Sequence, residues 1–238
     1  IYGSTLCTGA LINNYSNDGF PYFLTANHCY SDYGNYQLAV NNTVFYFNYE
    51  SPNCENSEGL TSQTISGAAL KSNWANSDFC LVQLSSTPPI NYNPYYSGWT
   101  KENVAALSAT GIHHPRGDVK KFTMDEETNA IFRNNINFWN PSSECDENYS
   151  HSMFEIWWDH GATTGGSSGS ALLNLNKRIV GQLYGGTGSC DWTEPDYYGC
   201  FYISWNQYPY TPSTRLKDWL DPMNDPNVTT MQGLRYYK

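Results

Sequence analysis

Apolar residues in this chain fall in short runs of roughly four to eight, some alternating with polar residues and some continuous, separated by Gly, Asn, Ser and Pro. That pattern predicts an all-β protein. In the first half it places strands over 8–12, 22–25, 43–49, 68–71 and 79–84. In the second half it places them over 106–113, 120–123, 153–158, 170–173, 179–184 and 200–205. Residues 50–66 read as a long surface loop, and 124–150, rich in Asn, Glu and Ser, as further loops. The stretch 85–100 carries Pro88, Pro89 and Pro94, which break a strand pattern, and reads as the crossing from one half to the other. One helix is signalled, over about 212–221: Thr211 offers an N-cap, Pro212 suits the first helical position, Leu216, Trp219 and Leu220 share a face, and Pro222 stops it. No internal repeat is visible.

At 238 residues the chain can bury a sizeable core in one or two domains. Its net charge of −10, with only 14% charged residues, excludes nucleic acid as a partner, because phosphates demand clustered Lys and Arg. An anionic membrane surface is disfavoured for the same reason. Aromatic residues make up 16%, with 20 Tyr among them, so solubility rests on uncharged hydrogen-bonding groups, as in a secreted protein. No apolar run reaches the length of roughly 18 residues that a membrane span needs. The first residue is Ile and no signal peptide is visible, which reads as a mature product whose signal and pro-region have been removed.

Seven cysteines contain no Cys-x-x-Cys pair, so a zinc ribbon or thioredoxin-like redox site has no support and disulfides are the better reading. Seven is odd, so a closed set of internal bridges leaves at least one thiol. Cys80, in an apolar strand where a small hydrophobe fits, is the expected one. His113 and His114 are adjacent, and neighbouring side chains on a strand point to opposite faces, so no metal site is expected there and the pair reads as structural. No cofactor is expected. The eight tryptophans, including Trp157 and Trp158, read as core and interface residues before a sugar-binding surface.

The chemistry begins at Gly165-Gly166-Ser167-Ser168-Gly169-Ser170, a small, polar, glycine-flanked turn that runs into the apolar Ala171-Leu172. A nucleophilic serine needs a tight turn that exposes its hydroxyl and aims backbone N–H groups at a developing oxyanion. In Gly-x-Ser-Gly that serine is Ser168, and the N–H groups of Gly166 and Ser168 would form the oxyanion hole. Two partners are available. Phe23-Leu24-Thr25-Ala26-Asn27-His28-Cys29 ends an apolar strand on a histidine, and Ser77-Asp78-Phe79-Cys80 puts an aspartate at the start of another. The order His28, Asp78, Ser168 is that of the chymotrypsin-type triad, not of the subtilisin or α/β-hydrolase types. The intervals, 78 − 28 = 50 and 168 − 78 = 90, leave room for one small barrel bearing His and Asp and a second bearing Ser.

Several further blocks occur in the same chain order: Cys7-Thr8-Gly9-Ala10-Leu11-Ile12, Ile112-His113-His114-Pro115, Gly181-Gln182-Leu183 and Asp218-Trp219-Leu220-Asp221-Pro222. With them, nearly the whole chain resembles the chymotrypsin-fold serine endopeptidases, and within these the bacterial lysyl endopeptidases. The resemblance implies two antiparallel six-stranded β-barrels with a C-terminal helix. Residues 1–95 would form the barrel with His28 and Asp78, and 96–238 the barrel with Ser168 and the specificity pocket. It implies a secreted, monomeric endopeptidase acting on polypeptides through an acyl-enzyme, and a disulfide between Cys7 and Cys29. Cys54 and Cys190 would by resemblance bond to an N-terminal extension that the chain lacks; otherwise Cys54, Cys80, Cys145, Cys190 and Cys200 pair among themselves with one left over.

For specificity, trypsin-like enzymes carry an aspartate six residues before the nucleophile, which here is Ala162. The lysyl endopeptidases take their carboxylate from a later loop, where Asp196 matches; there it would pair with a substrate Lys, with Arg as the second candidate. The competing reading of Asp196 is a solvated turn after Pro195. Thr163 matches a pocket-wall position, and Leu183, Tyr184 and Gly185 would lie along the bound peptide. Lysyl members have histidine where Tyr184 stands, stacked on a tryptophan corresponding to Trp139, so Lys over Arg stays open. Ser167 stands where most animal enzymes of the fold have an aspartate that pairs with a newly cut N-terminus, which argues against activation by N-terminal insertion. Two alternatives remain: a catalytically silent homologue that binds peptide or glycan, and a peptidase of the same fold with another preference, such as glutamyl, against which Asp196 argues.

Overall fold

The computed structural model describes residues 5–31, 34–103, 108–126, 131–134, 141–142, 152–188, 194–206 and 209–235. In the first half the strands are β1 (Ala10–Leu11), β2 (Tyr22–Ala26), β3 (Val44–Tyr46), β4 (Thr64–Ser66), β5 (Ala68–Trp74) and β6 (Phe79–Leu84). In the second they are β7 (Tyr95–Tyr96), β8 (Gly98–Thr100), β9 (Ala109–His113), β10 (Lys121–Asp125), β11 (Ile131–Asn134), β12 (Pro141–Ser142), β13 (Ser152–Ile156), β14 (Ala171–Asn174), β15 (Arg178–Gly186), β16 (Asp196–Cys200), β17 (Thr230–Met231) and β18 (Leu234–Arg235). Four short α-helices accompany them: α1 (His28–Ser31), α2 (Tyr36–Asn41), α3 (Phe201–Trp205) and α4 (Lys217–Leu220). The protein is mostly β, as the apolar periodicity predicts.

The sheets depart from two six-stranded barrels. β1, β2, β6 and β5 form one four-stranded sheet in that order, while β3 and β4 form a separate hairpin. Beside β1 and β3 lies a groove of about 780 Å³ lined by Leu11, Val44 and Phe45 among others. The second half is one ten-stranded sheet, in the order β10-β9-β14-β15-β16-β13-β11-β12, to which β8 and β17 attach alongside β15. β7 pairs with β18 and β8 with β17, so the end of the expected crossing itself pairs with the C-terminal strands.

Three apolar clusters hold these layers together. One lies under the first sheet and hairpin, built on Ala26, Val40, Phe45, Cys80, Val82 and Tyr96. Another lies within the second sheet, around Phe154, Ile156, Leu172, Leu183 and Tyr198. The third joins the two halves: Ile12, Leu24, Phe79 and Leu81 from the first pack against Trp99, Ile179, Phe201, Trp205, Leu216 and Leu220 from the second. Burying apolar surface from both halves in one cluster stabilises their relative placement by roughly 25 cal/mol for each Å² removed from water. A cleft between the halves can therefore hold catalytic groups from each.

Three local readings change. The 200–205 stretch alternates like a strand, yet only Cys200 belongs to one; Phe201–Trp205 is helical, with the Ser204 hydroxyl donating back to the Cys200 carbonyl at 3.1 Å. Phe201, Ile203, Ser204 and Trp205 are all buried, and a helix all but surrounded by core needs no clean amphipathic period. The helix expected over about 212–221 is only Lys217–Leu220. The Ser213 carbonyl accepts from Asn73 N–H at 3.0 Å and the Leu216 N–H donates to Ser204 at 2.9 Å, so tertiary partners occupy groups that a longer helix would use internally. Leu216 and Leu220 nevertheless reach the shared core, as their spacing predicts. Finally, 85–100 and 50–66 contain the short strands β7, β8 and β4, whose pairing depends on distant partners that local sequence does not show.

Candidate active site

The β2 and β6 strands pair antiparallel with Thr25 opposite Cys80 and Ala26 opposite Phe79, so their ends place His28 and Asp78 side by side. The fit is reinforced by Asn27 N–H donating to the Asp78 carbonyl at 2.9 Å. Asp78 is 2% exposed and sits at φ 53°, a left-handed conformation that aspartate tolerates better than most residues. From there its carboxylate grips His28 at two atoms: Oδ2 lies 2.7 Å from the imidazole Nδ1, and Oδ1 accepts the His28 backbone N–H at 2.9 Å. The ring is half-buried, and Tyr184 meets it edge-on at 5.8 Å between centroids. The Cys7–Cys29 disulfide is present and ties the segment before β1 to α1, which His28 opens. Cys80 is a free, buried thiol, as expected, and Cys54 is free and exposed; Cys200 is disulfide-bonded. Cys145, Cys190 and Trp139 lie outside the described residues.

The Ser168 loop is pressed against this turn. Thr8 N–H donates to the Ser168 carbonyl at 2.8 Å, and the Thr8 hydroxyl to the Gly166 carbonyl at 2.9 Å. Gly166 and Gly169 have φ of 95° and 82°, where L side chains are strained, and a Cβ at 169 would run into Thr8 and into Thr25 and Ala26, the last two residues of β2, which Asn27 separates from His28. Glycine at 169 is thus what lets the two turns touch. Gly165 accepts from Arg116 N–H at 2.6 Å, and Gly169 N–H donates to Leu183 at 2.8 Å. The N–H groups of Gly166 and Ser168 donate to nothing among the described residues, and the partly exposed Ser168 hydroxyl makes no hydrogen bond there. On the other side, Gln182 Nε2 donates to the Ser77 carbonyl at 2.5 Å, and a Cβ at Gly199 would collide with that same carbonyl. Strands β15 and β16 thereby seat the Asp78 loop, bringing all three candidate residues to one junction.

Asp196 opens β16 opposite Gly186, so it is a strand residue and not a solvated turn. It is 2% exposed. Its Oδ2 accepts from Trp158 Nε1 at 2.6 Å. Burial pushes its carboxyl above the usual value, while hydrogen bonds from Trp158 and Thr163 hold it back. A Cβ at Gly186 would collide with the carboxylate, and one at Gly185 would meet only open space, so the two glycines leave its approach clear. Thr163 is buried beside it, as a wall position requires. Leu183 is placed differently from expectation: its N–H donates to Ser170 at 2.8 Å and its carbonyl already accepts from Gly169, so it braces the Ser168 loop. Tyr184 falls at the irregularity between Leu183 and Gly185 in the pairing with β16, which turns its ring towards His28.

Sequence reasoning missed two residues. Trp158 was one of two adjacent tryptophans, and only the strand exit decides that Trp157 bonds Glu155 while Trp158 bonds Asp196. His113 and His114 do point to different partners, His113 to Ser167 and His114 to the Asp118 carbonyl.

Residues 1–199 match the family model described as lysyl endopeptidase, C-terminal domain. A lysyl endopeptidase of Pseudomonas aeruginosa is 30% identical over 198 residues, covering 79% of this chain and 38% of that protein, so the chain spans well under half of that relative's length. Among solved structures, a thermostable serine protease AL20 from an extremophilic microorganism aligns at TM-score 0.51 and 14% identity, over 82% of this chain and 83% of that one. An inactive-form mutant of Rv3671c from M. tuberculosis H37Rv aligns at TM-score 0.50 and 16% identity, over 82% and 75%. The fold is therefore that of the chymotrypsin-like serine proteases, and by its sequence the chain belongs to the lysyl endopeptidase family.

Proposed function

We propose that this protein is a secreted serine endopeptidase that cleaves polypeptides after Lys, with Arg as a second basic side chain, through an acyl-enzyme. Ser168 attacks the scissile carbonyl, His28 takes its proton and returns it to the leaving amine, and Asp78 fixes the imidazole tautomer and balances the imidazolium. The oxyanion faces the N–H groups of Gly166 and Ser168, each worth about 3 kcal/mol in the transition state. The observation that carries this reading is the two-point grip of Asp78 on His28, which engages Nδ1 and assigns the proton transfer to the other ring nitrogen.

Specificity follows from Asp196. A carboxylate buried with two neutral donors has no cation beside it among the described residues, and a substrate ammonium would supply one while an acidic side chain would meet repulsion. Thr163 lines the wall, Tyr184 and Gly185 flank the peptide, and the second lone pair of the Leu183 carbonyl accepts from it. We assign 1–95 to the half carrying His28 and Asp78 and 96–238 to the half carrying Ser168 and the pocket, acting as one monomeric unit after removal of a pro-region. The Cys7–Cys29 disulfide favours an oxidising compartment. The test is to treat the protein with a fluorophosphonate and to profile its cleavage sites on a peptide mixture. Labelling that vanishes in Ser168→Ala, with cuts after Lys or Arg, is expected; folded protein that neither labels nor cuts is instead a silent binding homologue.

A further inference from the structure

The loop Thr164–Ser168 is held from outside by backbone and Thr8, and from inside through the side chain of Ser167. Ser167 is fully buried, and its Oγ lies 2.8 Å from Nδ1 of His113, itself 1% exposed. The same Oγ accepts Thr164 N–H at 3.3 Å. The Ser167 hydroxyl and His113 Nδ1 therefore share one hydrogen bond whose direction follows the ring tautomer, while Nε2 is buried with no partner among the described residues. Burial pushes the imidazole down to about 4, so it is neutral and able to accept at physiological pH. The segment that follows completes the cradle: His114 N–H donates to the Thr8 hydroxyl at 3.1 Å, and a Cβ at Gly166 would press on Arg116 N and the His114 carbonyl, both at 2.9 Å.

Resting on the proposed function, we propose that His113 is a positioning residue: through Ser167 it fixes the peptide planes on either side, so that Gly166 and Ser168 aim their N–H groups at the oxyanion. In this chain a neutral hydrogen bond between positions 54 residues apart sets the loop, with no charged N-terminus needed.

The test compares Ser167→Ala, His113→Phe and His113→Asn with the wild type on a lysine ester and a lysine peptide. Misplacing reacting groups by about 1 Å costs about 10²-fold, so Ser167→Ala and His113→Phe should each lower kcat by roughly 10- to 100-fold at constant KM. Affinity for a peptidyl lysine aldehyde, which forms an oxyanion, should fall by the same factor while that for n-butylamine, which has no group to place in the oxyanion hole, holds. His113→Asn, which can again hydrogen-bond to Ser167, should recover most of the loss, and His113→Phe/Ser167→Ala should be no worse than either single variant. A Ser167→Ala enzyme within twofold of wild type, equal losses for both inhibitors, or effects that multiply in the double variant would overturn the role. A wild type inert to fluorophosphonate and ester alike overturns the function reading, and this inference with it.

Discussion

Asp78 and Asp196 are buried to the same 2% exposure, yet their surroundings are opposite. Asp78, between two strands of the first sheet, has a titratable partner in His28 bound at both carboxylate oxygens. Asp196, at the start of β16 in the second sheet, has the indole of Trp158 and the hydroxyl of Thr163, neither of which can carry charge. A buried carboxylate is costly unless paired and hydrogen-bonded. One region therefore has a titratable partner within the fold, and the other has only neutral donors among the described residues. On the function proposed above, the first would orient a base and the second would select a cation.

The widest separation between the two comes from removing each carboxylate. Asp78→Asn should lower kcat by about 10⁴-fold on every substrate, amide or ester, with KM for lysine substrates little changed, because the imidazole loses its tautomer and not its ligand. Asp196→Ser should lower kcat/KM on lysine peptides by roughly 10²-fold or more while the fluorophosphonate still labels Ser168 at close to the wild-type rate. Steady-state kinetics on a lysine and an uncharged ester, run beside the labelling, read both. Lysine cleavage that survives Asp196→Ser would remove the pocket assignment and leave the triad untouched.

Titration offers a finer separation. Burial raises the Asp196 carboxyl in the folded protein above its ordinary value. For an acid the sign is this: the unfolded chain ionises first as pH rises, the folded chain lags, and stability is lost between the two values and stays lost above them. Asp196→Asn should therefore be more stable than wild type at neutral pH, with the difference closing as the pH falls to about 4, where the unfolded carboxyl is itself protonated. Urea unfolding at several pH values measures this. A lysine-like amine should reverse the ranking at neutral pH by stabilising only the wild type. A pH-independent gap between the two proteins would mean that Asp196 is already paired.

Much of this contrast was legible in the sequence, and the reason is local. His28 and Asp78 stand at the ends of apolar runs, and strands that pair antiparallel must bring such ends together; Gly166 and Gly169 mark a turn that only glycine can make. Asp196 could be placed at a pocket but not on a strand, because Pro195-Asp196 is a good turn signal and β16 owes its pairing to β13 and β15 far away in the chain. His113 was seen as one face of an adjacent pair. Which face points inward depends on the pairing of β9 with β14, where Gly111 lies opposite Leu172, and no local pattern supplies that register. The division of the first half into a sheet and a hairpin was hidden for the same reason. Tertiary hydrogen bonds at Ser213 and Leu216 shortened the last helix, although its capping residues read well.

The smallest expected effect tests the part of the comparison that the sequence did not reveal, the indole on Asp196. Trp158→Phe keeps the ring and removes the 2.6 Å donor. A hydrogen bond to a charged group contributes about 1.5 kcal/mol, so kcat/KM on lysine peptides should fall about tenfold, well short of Asp196→Ser. With one fewer donor on the ionised form, the carboxyl should rise further, and the acid limb of lysine-peptide cleavage should move to higher pH. Hydrolysis of an uncharged ester should keep its wild-type profile, since that reaction does not use the pocket charge. If both substrates shifted together, Trp158 would be acting on the Ser168 loop instead, and the two aspartates would not be electrostatically separate regions.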